Sequence, residues 1–191
     1  MYRIRQSFDT PRLNDLVGEV RKQLTSLNLG PRIKPGETVA ITVGSRGVAN
    51  VAIITREIVQ HFLSLRAKPF IVPAMGSHGG ATAEGQRALI ESFGVTEEFI
   101  GCPIKATMET VIIDQTPQGI SVHFDKNAAG ADHVFIANRI KPHTMFVGPI
   151  ESGLHKMMLI GLGKREGAVH YHRAIKSFTF LEIIRAVADV V

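Results

Sequence analysis

Apolar residues return along this chain with two different periods, and the way the periods alternate predicts an α/β domain. Leu13, Leu16, Val17, Val20 and Leu24 recur at helical spacing, so residues 10–28 read as a helix. Pro31 to Gly36 supply a turn, and Thr38-Val39-Ala40-Ile41-Thr42-Val43 is a short β-branched run of the kind buried in parallel sheets. Asn50 is placed to cap a second helix through Ala67, with Ile53, Ile54, Ile58, Phe62 and Leu63 apolar. Pro69-Phe70-Ile71-Val72-Pro73 is the next buried run, and Thr82 begins a helix through Phe93. A β-α-β-α order of this kind predicts a parallel sheet with a loop at the C-terminal end of each strand.

Residues 110–124 break that rhythm. Val111-Ile112-Ile113-Asp114 and Ile120-Ser121-Val122-His123-Phe124 flank Thr116-Pro117-Gln118-Gly119 and predict a β-hairpin. His133 to Ala137 is a third buried strand, ending in Asn138-Arg139-Ile140-Lys141-Pro142-His143-Thr144. The apolar stretch Met157 to Gly163 is compatible with a strand or a packed loop. Phe178 to Val191 reads as a helix capped by Ser177, with apolar Phe180, Ile183, Ile184, Val187 and Val191. It stops on Val190-Val191 with no glycine or polar tail, an ending expected of a truncated chain. The expected architecture is α/β: one Rossmann-like domain over residues 1–191, with a mostly parallel sheet, flanking helices and an inserted β-hairpin.

Composition narrows the classes. The chain has 191 residues, 45% hydrophobic and 20% charged, ordinary for a globular domain. Its one cysteine, Cys102, excludes an intrachain disulfide and a zinc ribbon. No apolar run reaches the roughly 18 residues of a membrane span. Met1 to Ser7 lacks an apolar signal core, so a cytoplasmic location without membrane attachment is expected. The net charge of +5 comes from scattered Lys and Arg, with no basic run and no Trp. That favours an anionic small molecule over nucleic acid.

The candidate chemistry sits in the loops after the buried strands, where α/β proteins place their sites. Gly44-Ser45-Arg46-Gly47 could hold an anion on backbone N–H groups, with Arg46 forking onto a carboxylate. Gly76-Ser77-His78-Gly79-Gly80 sets an imidazole among small residues, which would leave the backbone close to a ligand. His143 follows Pro142 at the end of the third strand. His170 and His172 would project on one side of an extended chain. Lys156, in Ser152-Gly153-Leu154-His155-Lys156, shares its segment with Lys164, and an ordinary lysine in either place is a solvated charge. His61 and His123 read as structural. Imidazoles at strand ends point to proton transfer, metal binding or both. Besides catalysis of the first kind, a metal-dependent hydrolase built on His78, His143 and His172 and a non-catalytic anion or nucleotide-binding module both fit the residues.

Taken in order, Ser45-Arg46, Gly76-Ser77-His78, Pro142-His143, Ser152-Gly153-x-x-Lys156 and His172 resemble the N-terminal domain of the nickel-pincer lactate racemase family, over most of the chain. The segment Pro73 to Thr82 looks like the branch of racemase and epimerase homologues rather than the lactate enzymes proper. The resemblance implies a nickel ion held in a sulfur-containing pyridinium mononucleotide, joined to Lys156 through a thioamide. It implies His172 as the nickel ligand, His78 and His143 as an acid–base pair, and Arg46 on the substrate carboxylate. Ser45, Ser152 and Gly153 would help bind the cofactor. The implied reaction is racemisation or epimerisation of a 2-hydroxy acid by hydride transfer, with cofactor-synthesis proteins as partners. The family's C-terminal domain, which closes over the substrate, has no counterpart within these residues. Val43 and Gly47 depart from the acidic residue and the proline that the lactate enzymes carry there.

Overall fold

The computed structural model describes residues 3–7, 12–143 and 147–191. Residues 10 and 11 of the expected first helix and Thr144 of the His143 loop therefore lie outside the described residues. The first helix, α1, runs Leu16–Ser26 and is capped by the Asp15 carboxylate. Strand β1 (Thr38–Val43) is buried along all but its first residue, as its unbroken apolar run requires. Helix α2 (Val51–Ser64) follows, then β2 (Lys68–Pro73), then α3 (Ala83–Glu91), whose N-cap Thr82 accepts from the Gly85 N–H. A short helix α4 spans Glu97–Ile100. Asn50 sits at the start of α2 but is left-handed, at φ 60°, and makes no side-chain cap.

The hairpin forms as expected, from β3 (Thr110–Gln115) paired antiparallel with β4 (Ser121–Asp125). A helical turn α5 (Lys126–Ala129) leads into β5 (His133–Phe135). Strands β2, β1 and β5 form the parallel sheet in that order, with Ile41 paired to Ile71 on one side and to Phe135 on the other. The chain thus leaves β1 toward one neighbour and later returns on its other side. A crevice opens beyond the strand ends where such an order diverges.

Strand alternation sends Val39, Ile41 and Val43 to one face, where they pack with Val59, Phe62 and Ile90 of the helices. Ala40, Phe70 and Val72 face the other way, onto Phe124, Ala128 and Leu162. A further cluster joins Ile120 and Val122 of the hairpin segment to the C-terminal helices α7 (Lys164–Ala174) and α8 (Phe180–Val190).

Three local expectations are corrected. Met157–Gly161 is neither strand nor loop but a wide π turn, closed by Leu162 N–H onto the Met157 carbonyl at 2.8 Å, and it continues the short helix α6 (Leu154–Lys156). His170 and His172 lie on α7, where positions two apart differ by about 200° around the axis, so they face apart rather than together. The cap of α8 is Thr179, not Ser177. Thr179 and Glu182 satisfy each other's backbone N–H groups in a capping box, which fixes the start two residues later than periodicity alone implied.

Candidate functional site

Beyond the C-terminal ends of the strands lies a cavity of about 530 Å³. The loop after β1 contributes Ser45 and Arg46, the loop after β2 His78, and the loop after β5 Asn138, Lys141 and His143. Ser152 and Lys156 enter from around α6, and His172 from α7. Met157, Ile160, Phe180 and Ile183 give the remaining wall an apolar character. Among the described residues that line it there is no carboxylate, whereas Arg46, Lys141 and Lys156 are there. The cavity therefore favours an anion with an apolar body.

Seven of the eight expected site residues line this one space. Gly153 does not. It is the N-cap of α6 at φ 90°, and a Cβ there would stand 3.1 Å from Ile140, so its role is to let the chain turn into the helix that carries Lys156. Ser45 serves its neighbour: its Oγ shares a 2.5 Å hydrogen bond with His78 Nδ1, which aligns the ring. His143 is held through its backbone, whose N–H donates to Glu151 Oε2 at 2.8 Å; Glu151 Oε1 also accepts from Gly148 N–H at 3.1 Å. The Glu151 carboxyl is held below its ordinary range by those two backbone donors.

One glycine of the His78 loop is explained by packing within the chain. Gly79 is left-handed at φ 66°, and its backbone presses on α3 so closely that a Cβ on Gly85 would lie 1.9 Å from the Gly79 carbonyl oxygen. The loop is thus packed down at its own helix.

Electrostatics tie the site together. Burial lowers the His78 pKa, and the Arg46 and Lys156 charges lower it further. His143 is lowered by burial, then by Lys156 and Lys141, with Glu151 opposing. Lys156 is itself lowered by burial and by Lys141 and Arg46. In both imidazoles the shift favours the neutral ring, and both feel the same lysine. His172 Nδ1 donates to the Ala168 carbonyl one turn back, at 2.5 Å, so the ring is held from that nitrogen. His170 turns away, with its ring 5.3 Å from that of His123.

Lys164 is the residue that sequence reasoning passed over. It is wholly buried, with Nζ 3.0 Å from Asp125 and 3.0 Å from Gln86 Oε1. Burial lowers its pKa against the pull of Asp125. Its signal was faint: a lysine between Gly163 and an amphipathic helix, with no marker of burial in the sequence.

Among the described residues, no three His, Cys, Asp or Glu side chains converge as a metal-binding group. Nor, among the described residues, is any helix long and apolar enough to cross a membrane. No curated protein matches the chain. The sequence pattern of the lactate racemase N-terminal domain matches residues 19–179, spanning the sheet, every loop of the cavity and the cap of α8. With that span of a 191-residue chain accounted for, the protein belongs to the lactate racemase N-terminal domain family.

Proposed function

We propose that this chain is the cofactor-holding and proton-transferring domain of a 2-hydroxyacid racemase or epimerase that uses a nickel-pincer nucleotide. The observation that carries the reading is the meeting of Arg46, His78, His143, Lys156 and His172 in one cavity, with no carboxylate among the described residues that line it.

The residues fit such a group. A lysine must lose its proton before its nitrogen can form a thioamide, and Lys156 is the cavity lysine whose ammonium is disfavoured by burial and by neighbouring cations. With Nδ1 of His172 donating to the Ala168 carbonyl, Nε2 is the nitrogen left for a metal, the arrangement usual for a metal-ligating imidazole. His172 would be the protein's ligand to the nickel, with the other donors supplied by the nucleotide. Met157, Ile160 and Ile183 offer an apolar surface for a flat ring, and Ser152 a hydroxyl for its polar edge. When bound, the pincer supplies the acceptor and donor for the substrate's Cα hydride.

The chain's own part is positioning and proton transfer. Arg46 forks onto the substrate carboxylate. One neutral imidazole takes the hydroxyl proton, and the other returns a proton on the opposite face. Two are needed because enantiomers present their hydroxyls on different sides. The Ser45 hydroxyl can donate to His78 Nδ1 or accept from it, so the ring can work as base in one direction and acid in the other.

The test is co-expression with the cofactor-synthesis proteins. Intact-protein mass spectrometry should show an adduct on wild type that is absent from Lys156→Ala, and His172→Ala should keep the adduct but lose nickel. Loaded protein is then offered lactate, malate and longer sugar acids, with chiral analysis. His78→Ala or His143→Ala should each lower turnover in both directions by about 10²–10⁴-fold. An unmodified Lys156 in protein that binds the nucleotide would refute the reading.

A further inference from the structure

Behind the wall that carries His78, four polar groups meet out of reach of water. Lys164 opens α7 at φ 54°, a left-handed conformation unfavourable for lysine, so its side chain rather than its backbone preference explains its presence. Its Nζ donates to the carbonyl of Pro73, the last residue of β2, and to Gln86 Oε1 at 3.0 Å. It also lies 3.0 Å from Asp125 Oδ2. Asp125 is fully buried and uses Oδ1 to cap α5 at the Ala128 N–H, 2.9 Å away. Gln86, also fully buried, passes the link onward: its Nε2 donates to the carbonyls of Gly76 at 2.8 Å and His78 at 3.2 Å.

The chemistry makes this chain of contacts directional. An amide offers an acceptor on one side and two donors on the other. The ammonium of Lys164 fixes the oxygen toward itself, because the flipped amide would set N–H groups against a cation. The donors must then face the Gly76 and His78 carbonyls. An apolar residue of similar volume could fill the space of the buried pair with little loss of stability. It could not aim the Gln86 amide.

We infer that Lys164 and Gln86 are positioning residues, which clamp the backbone on both sides of Ser77 so that the His78 imidazole stands in the cavity against Ser45. The clamp also ties the His78 loop to the first residue of α7, the helix that bears His172. The consequence for turnover rests on the racemase reading; the loop's dependence on Gln86 does not.

The test uses this chain without cofactor. Gln86→Met keeps the volume and removes both donors; Lys164→Met with Asp125→Leu removes the cation without stranding its partner. Ile90→Val, on α3 and fully buried, is the control for general loosening. Amide exchange in residues 76–80 should quicken by about tenfold in Gln86→Met, the effect of losing bonds of ordinary net strength, while the rest of α3 keeps its protection. The ring nitrogen shifts of His78 should move, and those of His61 should not. The double variant should fold and show the same two changes. Unchanged His78 signals in Gln86→Met, or faster exchange spread evenly over the chain as in a merely weakened core, would overturn the inference. If these changes appear and loaded wild type turns over no hydroxy acid, the racemase reading fails and the clamp stands.

Discussion

Gly85→Ala is a substitution for which two physical rules give opposite signs. Gly85 lies inside α3, where alanine is preferred to glycine by up to about 1 kcal/mol. Helix propensity alone therefore predicts a more stable protein. The packing says otherwise. A Cβ at Gly85 would sit 1.9 Å from the Gly79 carbonyl oxygen and 2.8 Å from Thr82 Oγ1, the cap of the same helix. To reach ordinary contact near 3.4 Å, the Gly79 carbonyl would have to retreat by about 1.5 Å. That displacement exceeds the slack of the hydrogen bonds from Gln86 to the Gly76 and His78 carbonyls, at 2.8 and 3.2 Å. Overpacking of this kind costs about 1–3 kcal/mol, and each weakened hydrogen bond about 1 kcal/mol more. Set against the helix-propensity gain, the net expectation is destabilisation by about 2–4 kcal/mol, which for a domain of this length lowers Tm by roughly 4–16 °C. Gly47→Ala is the comparison, because a Cβ there meets nothing within 4 Å and the residue does not need a left-handed backbone. Thermal melts by circular dichroism decide between the two rules. A Gly85→Ala variant that melts at or above wild type would show that the loop is not packed on α3 as described.

Three further outcomes follow from the same geometry. Folding should weaken in acid: His61, His78, His123 and His143 all have pKa values lowered in the fold, chiefly by burial, so the unfolded chain takes up protons first as pH falls below the ordinary value of 6.5. Their contribution is intact above that pH and is lost toward the lowered values, and melts at pH 7.5 and 5.5 should show a lower Tm in acid, with a smaller difference in His61→Phe. Lys156→Met should raise the titration midpoints of His78 and His143, since its charge helps hold both down, while His61 stays put; NMR titration of the ring protons checks this. Thr179→Ala removes the capping box of α8 and should cost about 1 kcal/mol by denaturant titration.

Two strands of the sheet, β1 and β2, were legible because they are buried on both faces, whereas β5, expected as a buried strand, is only half-buried. Continuous apolar, β-branched runs at 38–43 and 69–73 have few other places to go, and both formed in parallel register. The hairpin was legible from its turn chemistry. Caps were less so: Ser177 and Thr179 are both acceptable oxygens, and only the glutamate three residues after Thr179 separates them. The stretch Met157 to Gly163 was illegible for a different reason. It is apolar at nearly every position, so no period marks it. Its shape comes from close approach to the end of β2, where the Gly76 N–H donates to the Gly161 carbonyl at 3.2 Å. His170 and His172 were misjudged through the secondary structure assumed for them, since the same spacing aligns two rings on a strand and parts them on a helix.

The site divides along the same line. Which loops meet followed from topology, because parallel strands bring their C-terminal ends to one edge, and the cavity gathers the loops after β1, β2 and β5 there. What each residue does within the cavity did not follow from position. Ser45 lines the cavity and also holds His78, and Gly153, which does not line it, shapes the entry to α6. Lys164 is the sharpest case. Eight residues along from Lys156 and no different in type, it is buried completely while Lys156 faces the cavity. The difference lies in a carboxylate 39 positions earlier in the chain and an amide 78 positions earlier, distances over which local periodicity carries no information. Residues that touch a ligand can be sought at strand ends. Residues that aim them are found only once the chain has folded, because their partners are chosen by the tertiary structure and not by their neighbours in sequence.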